Sequence, residues 1–144
     1  MIIGFTGTRN GMTEKQVSKI HTLLTGFVGE INPALILGLH GDCIGADDDF
    51  NMLCLSENIK TLCRPCTFEN MRAHRTSQQI AEPETPMQRN RKITAQADVM
   101  IACPPNYTEI KRGSGTWATI KFSRRAKKPL YIIFPDGTML KENT

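Results

Sequence analysis

Short apolar segments alternate along the chain with segments of helical period, and this alternation constrains the fold more than any other feature. Apolar runs predict strands at residues 2–5, 34–37, 59–62, 98–102 and 130–134. A strand–helix order repeated in this way favours a parallel sheet with right-handed crossovers and helices on both faces. The sequence therefore predicts an α/β fold with a parallel sheet of about five strands.

Four helical segments connect the predicted strands. The first begins after Thr13, which forms a capping-box match with Gln16, and apolar residues at helical spacing continue it to Ile31. The others are predicted at about residues 46–57, at residues 87–97 after Pro86, and from residue 113 onward. One Rossmann-like domain over residues 1–144 accommodates all these elements. Residues 64–86 show no clear period, which is typical of a long functional loop or lid.

Composition narrows the class of protein. Of the 144 residues, 40% are apolar and 22% are charged, as in globular domains. No apolar stretch approaches the roughly 20 residues that span a bilayer, and the N-terminus lacks the pattern of a signal peptide. Five cysteines at irregular spacing favour a reduced, cytoplasmic protein without membrane contact. Cys63 and Cys66 have CxxC spacing but no second pair, so we expect no metal site.

The net charge of +4 is concentrated in two segments, within residues 64–92 and within residues 111–128. Such clusters attract small anions, whereas duplex-binding proteins carry a denser basic surface. In the long loop, Arg72, His74 and Arg75 are candidates for a lid that donates hydrogen bonds to a phosphate. A solvated basic face is the alternative interpretation of the same residues.

Three predicted strand-to-helix loops are rich in glycine and small residues. The carboxyl ends of parallel strands lie at one edge of a sheet, so these loops are expected to meet where α/β sheets bind ligands. Glycine lets a ligand approach the backbone, and helix N-termini offer unpaired N–H groups to anions. The candidate ligand-binding residues are Gly7, Thr8, Arg9, Gly41, Asp42, Gly45, Asp47, Gly113, Ser114, Gly115 and Thr116. Three ordinary turns are the alternative.

Two of these segments resemble a known family. Residues 98–104 followed by residues 113–116, with Arg91 and Lys92 just upstream, resemble the SLOG superfamily, as does the loop of residues 40–47. That superfamily includes the Lonely-guy phosphoribohydrolases, the DNA-processing protein A family and nucleotide-sensing domains. The resemblance implies a Rossmann-like nucleotide-binding fold, a phosphate loop at residues 113–116, an anion-binding role for Arg91 and assembly into a homo-oligomer.

One position departs from the pattern of the hydrolases in this family. Their phosphate loop is followed by a glutamate, and Thr119 occupies the matching position here. Threonine cannot hold or deliver a proton near neutral pH, and loss of a general acid or base typically costs about 10²–10⁴ in rate. If another carboxylate acts in its place, Asp47 and Asp42 are the candidates.

We therefore expect a protein that senses or sequesters a nucleotide-derived ligand, such as an ADP-ribose-like or cyclic nucleotide, without turnover and without a cofactor. An N-glycosidase acting on nucleoside 5′-monophosphates is the alternative. Binding of single-stranded DNA is a weaker alternative, because aromatic residues that could stack on bases make up only 6% of the chain.

Overall fold

The computed structural model describes residues 1–74 and 79–144, which form a three-layer α/β sandwich. The strands are β1 (Ile2–Gly7), β2 (Leu37–His40), β3 (Lys60–Cys63), β4 (Gln79–Ile80), β5 (Val99–Cys103), β6 (Leu130–Ile133) and β7 (Met139–Glu142). The helices are α1 (Glu14–Glu30), α2 (Ala46–Ser56), α3 (Pro86–Gln96) and α4 (Gly115–Arg125). The predicted alternation of strands and helices is therefore present.

The described strands form one sheet in the order β4-β3-β2-β1-β5-β6-β7. All neighbouring pairs are parallel except β6 and β7, which are antiparallel. The sheet is thus larger than the predicted five strands. β4 adds two residues from within the loop of residues 64–86, and β7 returns along β6 through a turn at Gly137, whose φ is +84°.

Two hydrophobic clusters, one on each face of the sheet, hold the helices in place. On one face α1 and α2 pack over β1, and the rings of Phe5 and Phe50 stack with centroids 4.5 Å apart. On the other face α3 and α4 contribute Ile93 and Ile120 to a cluster around Met100. The helices therefore cover both faces, as the strand order requires of a mostly parallel sheet.

The strand order creates a crevice beside β1. The chain builds the sheet outward from β1 through β2, β3 and β4, and then crosses to β5 on the other side of β1. The loops that follow β1 and β5 consequently lead to helices on opposite faces. Such a switch point is where open α/β sheets bind their ligands.

The capping box predicted at the start of α1 is present. The Thr13 hydroxyl accepts a hydrogen bond from the Gln16 amide at 3.1 Å, and the Gln16 side chain accepts one from the Thr13 amide at 3.0 Å. The Gln16 side-chain amide also donates to the carbonyls of Pro104 and Ile133. This buried glutamine therefore ties the start of α1 to the ends of β5 and β6, beside the crevice.

Candidate functional site

A cleft of about 1080 Å³ opens at the carboxyl edge of the sheet, over the switch point. Its walls come from the loops after β1, β2 and β5, and from one face each of α3 and α4. Of the sequence-predicted residues, those that line it are Gly7, Thr8, Arg9, Gly41, Asp47, Gly113, Ser114, Gly115 and Thr116. The structure thus brings residues of all three glycine-rich loops into one cavity.

The loop before α4 has the form of an anion-binding site. The Ser114 hydroxyl accepts a hydrogen bond from the Trp117 amide at 3.2 Å and so caps the helix. Backbone N–H groups of the first helical turn lack intrahelical acceptors and carry the positive end of the helix dipole. Gly113 has a φ of +80°, and a Cβ atom there would meet nothing within 4 Å. The loop is therefore open toward the cleft.

Trp117 directly follows this loop and serves mainly as a packing residue. Its ring is buried in the cluster under α3 and α4, and its indole N–H donates to Asn106 Oδ1 at 2.7 Å. This hydrogen bond ties the start of α4 to the loop after β5. The side chain therefore fixes the loop of residues 113–116 from beneath.

The opposite wall is built around a buried carboxylate. Asp47 Oδ2 accepts hydrogen bonds from the amides of Gly41 at 3.0 Å and Cys43 at 3.2 Å. Burial raises the pKa of Asp47, while nearby His40 and Arg89 act in the opposite direction. Asp47 as a whole is 4% exposed, and it is among the residues that line the cleft. A carboxyl group in this setting can accept hydrogen bonds from ligand hydroxyls.

Gly45 supports this wall from behind rather than lining the cleft. Its φ is +97°, and a Cβ atom there would collide with the backbone oxygens of Thr8 and Arg9. The Ala46 amide also donates to the Thr8 carbonyl at 3.0 Å. The close approach permitted by Gly45 therefore joins the loop after β2 to the loop after β1.

Arg89 is a buried cleft residue that was not among the residues predicted for the site. It is 4% exposed, and its guanidinium donates to the carbonyls of Gly41 and Arg64, to Asn90 Oδ1 and to the Cys43 thiol. It lines the cleft from the first turn of α3. Helical spacing could have found it, because Arg89 precedes the buried Ile93 by four residues and so shares its face.

Arg91, for which the resemblance implies an anion-binding role, lies outside the cleft lining, whereas Arg89 lies within it. Arg91 is exposed. Its guanidinium carbon lies 5.0 Å from the centroid of the Phe122 ring. Two residues along a helix turn a side chain by about 200°, which explains why Arg89 faces inward and Arg91 outward.

Asp42 and Arg72 pair with each other outside the cleft lining. Arg72 Nε lies 2.9 Å from Asp42 Oδ2, and this hydrogen bond raises the pKa of Arg72. The Ala73 amide donates to the Asp42 carbonyl, and Arg72 forms an antiparallel bridge with Cys43. Asp42 is 1% exposed. The pair therefore fastens residues 71–73 to the loop after β2 instead of presenting a free arginine or a free carboxylate.

Of the two other candidate lid residues, the structure describes His74 but not Arg75. His74 is exposed, and its Nε2 lies 3.2 Å from a carboxylate oxygen of Glu69. Arg75 lies outside the described residues. The lid therefore stays a prediction. One of its three candidate residues, Arg72, already has a carboxylate partner in Asp42.

Thr119 is buried in α4 and its side chain is hydrogen-bonded within the helix. It is 1% exposed, and its hydroxyl donates to the Gly115 carbonyl at 2.9 Å. Asp47 is the carboxylate of the glycine-rich loops that lines the cleft, and it projects from the opposite wall. Thr119 therefore leaves no carboxyl group at the position of the hydrolases' glutamate. The carboxyl group of Asp47 faces the cavity from the opposite wall.

No known protein family matches the sequence, and none of the curated proteins matches it. Solved structures share its fold at low sequence identity. A molybdenum cofactor binding protein from the phototrophic bacterium Rippkaea orientalis superposes with a TM-score of 0.70 at 17% identity, over 92% of this chain and 76% of that one. TM1055, a structural-genomics target, gives 0.61 at 14% identity, over 90% and 71%.

DNA processing protein A from Streptococcus pneumoniae gives a TM-score of 0.63 at 15% identity, over 91% of this chain and 49% of that one. This chain therefore spans about half the length of that protein. These likenesses show that the chain shares the α/β fold of these proteins, with a mostly parallel sheet. Among the described residues, no helix combines the length and apolar character needed to cross a membrane.

Proposed function

We propose that this protein binds a nucleotide-derived small molecule in the cleft over β1 and β5. The observation that carries the proposal is the meeting of two unlike walls in one cavity. The helix start at Ser114–Thr116 offers N–H groups suited to a phosphate. Asp47, on the opposite wall, offers an acceptor suited to ribose hydroxyls.

Charge and volume support a ligand of this class. The cleft lining contains five cations, which are Arg9, Arg89, Lys111, Lys121 and Arg125, against two carboxylates, which are Asp47 and Glu109. Pockets for small molecules usually measure about 300–1,000 Å³, so a nucleotide has ample room. The Rippkaea orientalis neighbour is described as a cofactor-binding protein, which agrees with a small organic ligand.

We further propose that the ligand is held without rapid turnover, as expected of a sensor or a sequestering protein. Cleavage of an N-glycosidic bond requires an activated water or nucleophile beside an oxocarbenium-like centre. Thr119 supplies neither, since its hydroxyl already donates to Gly115. Binding through the helix start and the cations does not depend on that position.

A second candidate function, N-glycosidase activity, is favoured by one observation. Asp47 is a buried carboxyl group at the cleft surface, and burial raises its pKa. Carboxyl groups tuned in this direction act as general acids or bases near neutral pH. If hydrolysis occurs, Asp47 is the residue expected to perform proton transfer.

One experiment separates the two functions. Purified protein is mixed with AMP or ADP-ribose, binding is measured by calorimetry, and free base is followed by chromatography. The proposal predicts measurable binding of at least one nucleotide and no base release at enzyme-like rates. Rapid base release that is lost in Asp47→Asn but kept in Asp136→Asn would establish the glycosidase instead. Absence of binding to both nucleotides would contradict the proposed function.

A further inference from the structure

We propose that Lys121 and Arg125 form a second anion subsite, so that the ligand carries two phosphate groups separated by about one nucleoside. This inference rests on the proposed function and names the ligand class more closely. The first phosphate lies at the start of α4, and the second lies further along the same helix. A dinucleotide with a 5′-phosphate is the simplest compound of this class.

The cleft follows one face of α4 from its start to its last turn. Ala118, Lys121, Phe122 and Arg125 all line it, and their spacing of three and four residues places them on a single helical face. At a rise of 1.5 Å per residue, Lys121 is about 9 Å and Arg125 about 15 Å along the axis from Gly115. Side chains on a helix lean toward its N-terminus, which leaves about 6–10 Å between the two anion positions.

The charges at this end of the cleft are uncompensated within the part of the chain that the structure describes. Lys121 and Arg125 have no ion-pair or hydrogen-bond partner there. The neighbouring Arg124 shows the contrast, because two of its nitrogens each lie 2.9 Å from the Glu142 carboxylate. Two adjacent arginines of one helix thus differ, and the one that faces the cleft is the unpaired one.

Three further cations outside the cleft are paired in the same way as Arg124. Carboxylates pair with Arg64, Arg72 and Lys92, each at 3.6 Å or less. In the cleft, Glu109 is the exposed carboxylate, while Asp47 is buried on the opposite wall. Lys121 and Arg125 are therefore available to an anionic ligand that enters the cleft.

A small anion fits this surface better than a second copy of the chain. In a two-fold dimer, each subunit presents the same patch to the other. Packing this face of α4 on itself would bring Lys121 and Arg125 toward the same cations of the second copy. A bound phosphate instead neutralises the pair with charge-assisted hydrogen bonds.

The test compares two probes that differ by one nucleotide. AMP carries one phosphate, and the dinucleotide pApA carries two, separated by a nucleoside. Calorimetry is performed on the wild type, on the double variant Lys121→Ala/Arg125→Ala, and on Lys19→Ala/Lys60→Ala as a control. The control removes the same net charge from α1 and β3, away from the α4 face of the cleft.

We expect the wild type to bind pApA at least about tenfold more tightly than AMP, the scale of one charge-assisted hydrogen bond. The cleft variant is expected to lose about tenfold or more in affinity for pApA and less than about threefold for AMP. The control variant should bind both probes as the wild type does.

Different failures contradict different statements. Absence of binding of either probe to the wild type contradicts the proposed function together with the subsite. Equal affinity of the wild type for AMP and pApA, or equal losses for both probes in the cleft variant, contradicts the subsite alone. Binding of a 20-nucleotide strand about a hundredfold more tightly than pApA would overturn the small-molecule ligand in favour of single-stranded DNA. A dimer that the cleft variant abolishes in sedimentation would overturn it in favour of self-association.

Discussion

The two walls of the cleft differ in whether their polar groups already have partners within the protein. In the β2–α2 wall, residues 41–47, the polar groups are mostly buried and find their partners inside the protein, as Asp47 does with two backbone amides. In the α4 wall, residues 113–125, the residues that face the cleft include two cations without a partner among the described residues. The polar groups of the β2–α2 wall thus hydrogen-bond mainly within the protein, whereas two cations of the α4 wall are available to a ligand.

We propose that this difference orients the ligand. Buried groups that are already hydrogen-bonded rigidify their surroundings, whereas unpaired exposed cations attract anions from solution. A phosphate is repelled by the Asp47 carboxylate and attracted to the start of α4, and ribose hydroxyls are suited to the carboxylate. We therefore expect phosphates along α4 and the sugar toward the β2–α2 wall.

The largest expected effect tests the rigidity of the β2–α2 wall. Gly45→Ala would place a Cβ atom against the backbone of Thr8 and Arg9, at a φ of +97° that disfavours alanine. We expect this change to lower the free energy of unfolding by about 3 kcal/mol, the sum of steric crowding and backbone strain. Chemical denaturation followed by circular dichroism measures it.

Gly113→Ala is the matched variant in the α4 wall. Gly113 also has a positive φ, of +80°, but its Cβ position is open. Only the conformational cost of about 1–2 kcal/mol applies. If the two alanine variants lost equal stability, the contrast between a packed wall and an open wall would be wrong.

A smaller effect concerns the pH dependence of stability. Burial raises the folded-state pKa of Asp47 above its value in the unfolded chain. The stability linked to this carboxyl group is therefore fully present below about pH 4 and is lost as pH rises through the folded pKa. We expect the stability of the wild type relative to Asp47→Asn to fall as pH rises above about 4, the usual pKa of an aspartate, and chemical denaturation of both proteins at several pH values measures it.

Asp136 provides a control of opposite sign. Hydrogen bonds from Thr138 lower the pKa of this exposed carboxyl group. Its contribution is present above the unfolded pKa and is lost as pH falls. The relative stability of Asp136→Asn should therefore change in the other direction. If the stability of the wild type instead rose relative to that of Asp47→Asn as pH rises, burial would not be raising the pKa of this carboxyl group.

Periodicity and turn chemistry were sufficient to predict the layers of the fold. The alternation of strands and helices required helices on both faces, and Thr13 with Gln16 marked the start of α1 correctly. β7 was not predicted, because apolar and polar side chains alternate only weakly over its four residues. Its position depends instead on pairing with β6. β4 escaped for the same reason, since two residues hold no pattern of their own.

The site was predictable at the level of loops and less so at the level of side chains. Strand order places glycine-rich loops at one edge, and sequence alone sufficed for that. Partner choice depends on distances that sequence does not contain. Arg72 lies 30 residues from Asp42 in the chain yet binds it, so its availability to a ligand could not be read from composition. Arg89 and Arg91 differ in the face of α3 on which they lie, and the spacing of Arg89 from the buried Ile93 indicates this face in the sequence.

The most direct test of the central claim is a titration of AMP into isotopically labelled protein, followed by amide chemical shifts. The account predicts that the largest shifts occur at residues 113–117 at the start of α4, with further shifts at residues 7–9 and 41–43 across the cleft. Shifts confined to the groove between α1 and α2, which Val17 and Leu53 line, would contradict it. Saturable binding that leaves residues 113–117 unmoved would contradict it equally.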